Sequence, residues 1–382
     1  MTRREVIQKA IEGRINWLQA ADICGITPRH IRRLRARYQH LGIEGLRDRR
    51  TGRRQPHRIP LATERELCRL RRTLYGDFSV RHFHQSATER HGLKLFETWA
   101  RLILQKHGLA PKAQARGKHR HRRERRPMCG MLLHLDASTH TWIPGLPMRD
   151  LVVMLDDADG RILYARFVAQ EGTWSTLQAF HHVLRRYGRF GEFYTDRGSH
   201  FCRTTKSEDG PDEVQLGQVA RVLKTLGIRH ILARSPEARG RSERAFETIQ
   251  GRLPQELALA GIRDYGPDAD RYLEQRFVPD FNRRFTVTPT EPESAFTPLV
   301  GVDLELLLSI QHERVVQKDN TVIFGRLYLQ LPKSATRPHY VRCPVLVHEL
   351  LNGRLAVSYQ GHVIARLTRE GALTGTHHRK AA

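Results

Sequence analysis

Apolar positions recur at helical spacing between residues 4 and 37 and predict three short helices there. Before the third helix, Gly25 can supply a tight turn, Thr27 can cap the next helix through its hydroxyl, and Pro28 suits that helix's first position. The third helix carries three apolar residues on its inner face, Ile31, Leu34 and Tyr38. This pattern predicts a helix-turn-helix domain over residues 1 to 52.

The outer face of the third helix is covered with basic side chains. Its members are Arg29, His30, Arg32, Arg33, Arg35 and Arg37. Guanidinium groups match guanine edges and phosphate oxygens, and an α-helix fits the DNA major groove. We therefore expect these six residues to bind DNA. The alternative is an arginine-rich helix that faces only solvent.

A second helical module is predicted over residues 61 to 110. It starts at Thr63, which forms a capping-box pattern with Glu66. The last helix of the module, residues 96 to 107, has one apolar and one basic face. The residues expected inside are Trp99, Leu102 and Ile103, and those expected outside are Lys94, Arg101 and Lys106. Both a second helix-turn-helix and a helical spacer fit this pattern.

From residue 128 onward, short apolar strands alternate with helices. The predicted segments are a strand at 131–139, a hairpin at 151–168 around an Asp-Gly turn, a helix at 173–187, a strand at 192–200, a helix at 215–226 and a strand at 229–233. The order βββαβαβα places a mixed sheet between helices, the layout of a ribonuclease-H-like α/β core over residues 128 to 290. The polar stretch 202–218 is expected to be a loop.

The last third of the chain predicts helices followed by strands. Residues 256 to 285 are expected to be helical, with four core aromatics: Tyr272, Phe277, Phe281 and Phe285. Short alternating strands over residues 311 to 370 predict a small β-barrel. The fold class is thus multidomain, with an all-α N-terminal region, an α/β core and a small C-terminal β-barrel.

Positive charge is concentrated in the first third of the chain. The net charge is +25, and residues 1 to 127 hold 32 Lys and Arg against 11 Asp and Glu, whereas residues 128 to 382 hold 33 against 29. A local surplus of this kind predicts binding to a polyanion, most simply DNA or RNA. Residues 111 to 127 are read as a basic linker that can follow a phosphate backbone.

Two classes of protein are not supported by the composition. The five cysteines are scattered and never stand in C-x-x-C spacing, so neither a disulfide framework nor a cysteine-based zinc site is expected. No apolar run approaches the roughly 20 residues needed to cross a bilayer. We expect a soluble, cytoplasmic protein that does not contact a membrane.

Three carboxylates are placed where a nuclease-type core would bring acids together. Asp136 lies in the first strand, Asp196 near the end of the fourth, and Glu243 in the first turn of the following helix. Carboxylate oxygens suit Mg²⁺, which keeps part of its coordination shell for water and phosphate. Glu243 lies nearer its helix's apolar stripe than Glu247 and is preferred, with Glu247 as the alternative. Three further acids, Asp156, Asp157 and Asp159, are interpreted as hairpin-turn residues.

Several segments together resemble the ISNCY group of insertion-sequence transposases, within the DDE transposase and retroviral integrase superfamily. They are D-x-x-x-H-x-W-x-x-G at 136–145, LDDADGRIL, YTDRGSHF, SPEARGRSERAFETIQGRL and FNRRFTVTP. The resemblance runs from about Val6 to Tyr328. It implies that Asp136, Asp196 and Glu243 bind metal in a DNA strand-transfer enzyme. It further implies that Arg197, Gly198 and His200 shape the site, and that Arg239 and Arg241 meet DNA phosphates.

The resulting expectation is a DNA transposase that cleaves element ends and joins them to target DNA. Its cofactor would be Mg²⁺ or Mn²⁺, with two ions, and its partners would be double-stranded DNA and further copies of itself in a homo-oligomer on DNA. Two alternatives stay open: a metal-dependent nuclease that cuts without joining, and a domesticated DNA-binding regulator whose acids are structural.

Overall fold

The N-terminal unit is built on three helices. The computed structural model describes residues 3–47, 59–112, 124–196, 203–205, 213–215, 217–233, 240–333 and 337–374. The chain divides into two units, Met1–Leu70 and Arg71–Ala382. The helix-turn-helix part of the first unit contains α1 (Arg3–Ile11), α2 (Trp17–Ile23) and α3 (Pro28–Leu41), followed by a 3-10 turn at Gly42–Leu46, and the unit also includes most of the next helix.

The turn between α2 and α3 forms as its sequence predicts. Gly25 has φ +62°, a left-handed conformation that favours glycine. The Thr27 hydroxyl accepts a hydrogen bond from the His30 amide at 3.3 Å, and Pro28 is the first residue of α3. Ile31 and Leu34 are buried against α1 and α2. The predicted helix-turn-helix geometry is confirmed.

The second helical module contains α4 (Leu61–Thr73), α5 (Val80–His91) and α6 (Glu97–Lys106). Because α4 begins two residues before Thr63, Thr63 lies in its first turn and the predicted capping box was wrong. In α6 the buried residues are Ala100, Ile103 and Leu104. Trp99 and Leu102, predicted to lie inside, are 42% and 50% exposed. The helical spacing correctly predicted that one face of α6 is buried. The predicted face was centred towards Trp99 and Leu102, whereas the buried face includes Ala100 and Leu104.

A five-stranded mixed sheet forms the centre of the second unit. Its strands are β1 (Leu132–His140), β2 (Arg149–Asp156), β3 (Ile162–Val168), β4 (Glu192–Thr195) and β7 (Arg229–Leu232), in the order β3-β2-β1-β4-β7. The first three strands pair antiparallel, and β4 runs parallel to both β1 and β7. This topology is the expected ribonuclease-H-like core.

Helices cover both faces of the sheet. They are α7 (Thr173–Arg186), α8 (Gln218–Leu226), α9 (Gly240–Gln250), α10 (Leu253–Leu259), α11 (Pro267–Tyr272) and α12 (Val278–Phe285), with a π-helical turn at Leu273–Phe277. Alternate residues of the strands face opposite sides. Leu133 and Leu135 of β1 pack towards α7 and α8, whereas Leu151 and Val153 of β2 pack towards α9 to α12. The aromatics Phe277 and Phe281 are buried there, as predicted.

The segment predicted as a polar loop contains a small hairpin. Its strands are β5 (Arg203–Thr205) and β6 (Glu213–Gln215), which pair antiparallel with Arg203 opposite Gln215. The polar composition of this stretch hid its β-structure, because neither strand has an apolar face that a pattern could reveal.

The C-terminal region follows a short helix, α13 (Leu304–Leu307). Its strands are β8 (Ile310–Val315), β9 (Thr321–Phe324), β10 (Leu327–Gln330), β11 (Pro344–Glu349), β12 (Leu355–Tyr359) and β13 (His362–Leu367). They form an open antiparallel sheet, β13-β12-β11-β8, and a separate β9-β10 ladder that share one core. Strands were predicted correctly, but within residues 310–333 and 337–374 no sheet closes into a barrel.

None of the helices in the described part of the chain is long and apolar enough to span a membrane.

Candidate active site

Asp136 lies in the middle of β1, on the face covered by α9. Its neighbours Leu133 and Leu135 point into the core beneath α7 and α8, so His134, Asp136 and Ser138 share the opposite face. Asp136 is 9% exposed, and its Oδ1 accepts the Ala137 amide at 3.0 Å. A largely buried carboxylate at this point of a sheet needs a positive partner.

Asp196 directly follows β4. The β1–β4 ladder pairs Leu132 with Glu192 and His134 with Tyr194, and the rings of His134 and Tyr194 lie 4.9 Å apart between centroids. Parallel neighbours in register carry their side chains on one face. If this register continued by two residues, Asp196 would lie beside Asp136. The strand register is thus compatible with a common site for these two residues, which stays a prediction.

Glu243 approaches from α9. Ser242, Phe246 and Ile249 are the buried residues of that helix. At 100° per residue, Arg241 and Glu243 project from opposite flanks of this buried face. The Arg241 Nη1 contacts the carboxylate of Asp157, just beyond β2.

Helix α9 packs over β1, and Glu243 lies on the flank of α9 opposite the one that contacts Asp157. Glu243 is exposed, as is Glu247, which lies further round the helix towards solvent.

A different group, two aspartates and a cysteine, has its potential metal-ligand atoms close together. In the part of the chain that the structure describes, Cys129, Asp156 and Asp159 are the three metal-type side chains whose ligand atoms lie within 4.8 Å of one another, and the predicted triad does not form such a group. Burial, with Asp156 and Asp159 nearby, raises the pKa of Cys129 to about 12, so its thiol keeps its proton. Both Asp156 oxygens already accept backbone amides, from Gly130 and Ala158. This group therefore holds the hairpin together and is a poor metal site.

Asp157 is a residue whose role the sequence did not reveal. It was predicted to be a hairpin-turn residue, which its position after β2 confirms, but its side chain is fully buried. It accepts hydrogen bonds from His134 of β1, from Arg241 of α9 and from the Arg126 backbone. An acid next to an Asp-Gly turn is a common signal of an exposed turn, so only tertiary contacts distinguish it.

The sequence is similar to known transposases over most of its length. "Putative transposase y4bF" of Sinorhizobium fredii (strain NBRC 101917 / NGR234) is 31% identical over 366 residues, which cover 95% of this chain and 79% of that protein. The chain belongs to this transposase family. "Transposase for insertion sequence IS1202" of Streptococcus pneumoniae is 28% identical, over 86% of this chain and 77% of that protein. The expected transposase is thereby confirmed, and the assignments to the DDE type and to the ISNCY group stay predictions.

Two further comparisons concern the transposase's parts. A family profile for a helix-turn-helix domain matches residues 2–54. Among solved structures, a simian T-cell lymphotropic virus intasome in complex with PP2A regulatory subunit B56 gamma has a TM-score of 0.33 and 15% identity, over 76% of this chain and 93% of that chain. The HTLV-2 integrase catalytic core domain with magnesium has a TM-score of 0.28 and 18% identity, over 39% and 89%. Because these TM-scores are low, the fold is assigned from the strand order of the transposase itself.

The predicted DNA-binding residues of the transposase fall into three groups. The exposed ones are Arg29, His30, Arg32, Arg33 and Arg35. Arg37 is half-buried and donates from Nη2 to the Arg47 carbonyl at 2.9 Å, so it braces the domain. Arg241 is engaged with Asp157. The residues predicted to lie beside Asp196 or before α9, namely Arg197, Gly198, His200 and Arg239, lie outside the described residues.

The end of the predicted basic linker is part of the core. Arg126 forms an ion pair with Glu192 at 2.6 Å, and Arg125 donates to the Asp157 carbonyl at 3.0 Å. These two arginines were expected to follow a phosphate backbone but hold the linker's end against β4 and the β2–β3 hairpin.

Helix α5 is fixed to α10 by a polar contact. Glu256 accepts from His82 and from Arg90, each at 2.7 Å, and Arg252 donates to Gln85 at 2.6 Å. These side chains line a cavity of about 530 Å³. Burial lowers the pKa of His82 more than Glu256 raises it, so the ring is neutral at pH 7. This contact between α5 and α10 fits the interpretation of the second helical module as a spacer. The interpretation of that module as a second helix-turn-helix stays a prediction.

Proposed function

We propose that this transposase cleaves the ends of a DNA element and joins them to target DNA, with Asp136, Asp196 and Glu243 as its metal ligands. The observation that supports the proposal is the parallel register of β1 and β4, which pairs His134 with Tyr194, two residues before Asp136 and Asp196. Glu243 would join them from the exposed flank of α9, the helix that packs over β1. Residues 128 to 290 would form the strand-transfer domain.

The donor set fits a hard divalent cation. All three proposed ligands are carboxylates, which suit Mg²⁺ or Mn²⁺, whereas the one nearby cluster with a thiol keeps that thiol protonated. When bound, a pair of such ions activates the attacking oxygen and stabilises the leaving oxygen of an in-line displacement. The chain's part is to hold three acids on rigid elements and to keep α9 against β1 through Gln250 and Ser138, 2.7 Å apart.

DNA recognition would belong to the N-terminal unit. The exposed basic residues of α3 lie on a helix capped and packed as in a helix-turn-helix, so they can enter a major groove at the element's end. Arg239 and Arg241 are proposed to meet phosphates near the site; the side chain of Arg241, which contacts Asp157, is 21% exposed.

Assembly follows from the reaction. Joining two element ends in one event requires two copies of the site, so we propose a homo-oligomer on DNA at the nucleoid, with the C-terminal sheet as a further contact for DNA or a second protomer.

Product analysis tests the proposal. Purified protein, Mg²⁺ and a DNA duplex that contains the element's end should give strand-transfer products, and these should disappear in Asp136→Asn and Asp196→Asn. Nicked products without joining would indicate the nuclease instead. DNA binding with neither product, unchanged by Mg²⁺, would indicate a regulator and overturn the proposal.

A further inference from the structure

Asp157 is a buried carboxylate outside the proposed metal site that connects three separate segments. Its Oδ1 accepts from His134 Nε2 at 2.8 Å and from Arg241 Nη1, and its Oδ2 accepts from the Arg126 amide at 2.8 Å. The side chain of Asp157 has no exposed surface, and that of His134 is 4% exposed. One carboxylate thus joins β1, the β2–β3 hairpin, α9 and the segment that leads into the core.

The charge on Asp157 is stabilised by these contacts. Burial alone would raise its pKa, but the hydrogen bonds from His134, Arg241 and the Arg126 backbone outweigh burial, and the pKa lies well below the ordinary aspartate range. Hydrogen bonds to a charged group are stronger and more directional than neutral ones. The buried carboxylate therefore holds the groups that donate to it, on His134, Arg241 and Arg126, in a fixed orientation.

The donors to Asp157 stand next to the proposed metal ligands in sequence. His134 precedes Asp136 by two residues on the same face of β1, and Arg241 precedes Glu243 by two residues in the first turn of α9. Arg241 leaves the helix on the flank opposite Glu243. The contact of Arg241 with Asp157 therefore holds this flank of α9 near β2 and restricts rotation of α9 about its axis. That rotation would determine the position of Glu243 relative to Asp136.

Other described contacts also hold α9 in place. Gln250 bonds Ser138 at the far end of the helix, and Phe246 and Ile249 pack into the core in its second half. In the first turn Ser242 is buried, and Arg241 adds a charge-assisted contact to this packing. Apolar packing is not directional, whereas a charge-assisted hydrogen bond is. The contact of Arg241 with Asp157 therefore contributes to the orientation of the first turn.

We propose that Asp157 is a positioning residue for the metal site, which acts through His134 and Arg241 to hold Glu243 in place relative to Asp136. This role rests on the proposed function, because it has a meaning only if Asp136 and Glu243 share a metal. The alternative is that Asp157 only stabilises the fold, like any buried ion pair.

Metal binding separates these two roles without measuring catalysis. Asp159→Asn is the matched control, because Asp159 is equally buried in the same hairpin but pairs with Arg161 of that hairpin and not with β1 or α9. The dissociation constant for Mn²⁺ would be measured from the free-ion signal in electron paramagnetic resonance, with the melting temperature of each variant from circular dichroism.

Asp157→Asn should weaken Mn²⁺ binding by about 10-fold to 100-fold, the range found when groups that orient metal ligands are removed. Asp159→Asn should leave Mn²⁺ affinity within about twofold of wild type even if it melts earlier. Arg241→Gln, which leaves Asp157 with His134 and the Arg126 amide, should reproduce the Mn²⁺ loss and serves as the test if Asp157→Asn does not fold. Arg241→Lys should restore part of the affinity.

Equal Mn²⁺ affinity in Asp157→Asn, Arg241→Gln and Asp159→Asn would overturn the positioning role. Asp136→Asn identifies the other failure: if it binds Mn²⁺ as tightly as wild type, the proposed metal site itself is wrong. If Asp136→Asn loses Mn²⁺ while Asp157→Asn and Arg241→Gln keep it, the metal site stands and only the positioning role fails.

Discussion

His134 of β1 pairs with Tyr194 of β4, and two residues further along each chain lie Asp136 and Asp196. Neighbouring strands lie about 4.8 Å apart, so two carboxylates at such positions can approach a common cation from one face of the sheet. Neither residue is near the other in sequence, and the pairing depends on β4 lying next to β1. This relationship turns two separate acids into one candidate site.

Glu243 and Glu247 provide a direct comparison on one helix. Both are exposed acids on the same flank of α9, one turn apart, but Glu243 lies nearer the buried face of the helix. We expect Glu243→Gln to reduce strand transfer by more than about 100-fold, since misplacing or removing a group in a site of this kind costs that much. Glu247→Gln should stay within about threefold of wild type. The reverse ranking in the same assay would assign the metal ligand to Glu247.

Arg33 and Arg37 test the orientation of α3. Arg33 is exposed, whereas Arg37 is bonded to the Arg47 carbonyl. Arg33→Ala should weaken binding to end-containing DNA and reduce the salt dependence of log Kd by about 0.9 if one phosphate contact is lost, with no change in melting temperature. Arg37→Ala should instead lower the melting temperature. Fluorescence anisotropy between about 50 and 200 mM salt measures the first effect, and a larger affinity loss in Arg37→Ala would contradict this orientation.

Glu256 should stabilise the docking of α5 in a pH-dependent way. Burial would raise its pKa, but the hydrogen bond from His82 and the charge of Arg90 outweigh burial and hold the pKa below the ordinary value of 4.5. A depressed pKa means that the stabilisation is complete above that ordinary value and is lost as pH falls through the folded-state pKa.

Glu256→Gln should therefore lower the free energy of unfolding by about 1 to 3 kcal/mol near pH 7, and the difference from wild type should shrink below pH 4.5. Glu89→Gln, which removes a half-exposed partner of Arg284, is the control and should cost less than about 1 kcal/mol. Chemical denaturation at several pH values measures both, and a difference that grows in acid would contradict this account.

Gly130 is required by the close approach of Phe296. Its φ is +83°, and a Cβ there would lie 2.6 Å from the Phe296 ring. Gly145 has a similar φ of +86° with nothing within 4 Å. Gly130→Ala should thus destabilise the protein by about 1 to 3 kcal/mol more than Gly145→Ala, the difference being the cost of overpacking. Equal melting temperatures of the two variants would show that the Phe296 contact relaxes freely.

The sequence predicted those parts of the molecule that depend on local patterns. The α2–α3 turn follows from Gly25, Thr27 and Pro28, which act over a few residues, and the strands of the core follow from runs of apolar residues. The topology could be predicted because connections between parallel strands leave few arrangements.

Other features depend on contacts between distant segments. Trp99 was expected to be buried. Helical spacing shows that a helix has an apolar face, but it does not show which residues of that face contact the core. The register between β1 and β4 arises only when these two distant strands pair, and the contact of Arg241 with Asp157 arises only once α9 is packed on β1. The C-terminal strands were visible, but whether they close into a barrel is decided by long-range pairing.

The central claim is that Asp136 contacts the catalytic metal, and changing the ligand and the metal together tests it most directly. Asp136→Cys places a soft thiolate where a hard oxygen donor is proposed, so strand transfer with Mg²⁺ should fall by more than about 100-fold and should recover in part with Mn²⁺, which accepts sulfur more readily. Asp136→Ala should be inactive with both ions. Strand transfer by Asp136→Ala at the wild-type rate with either ion would contradict the account.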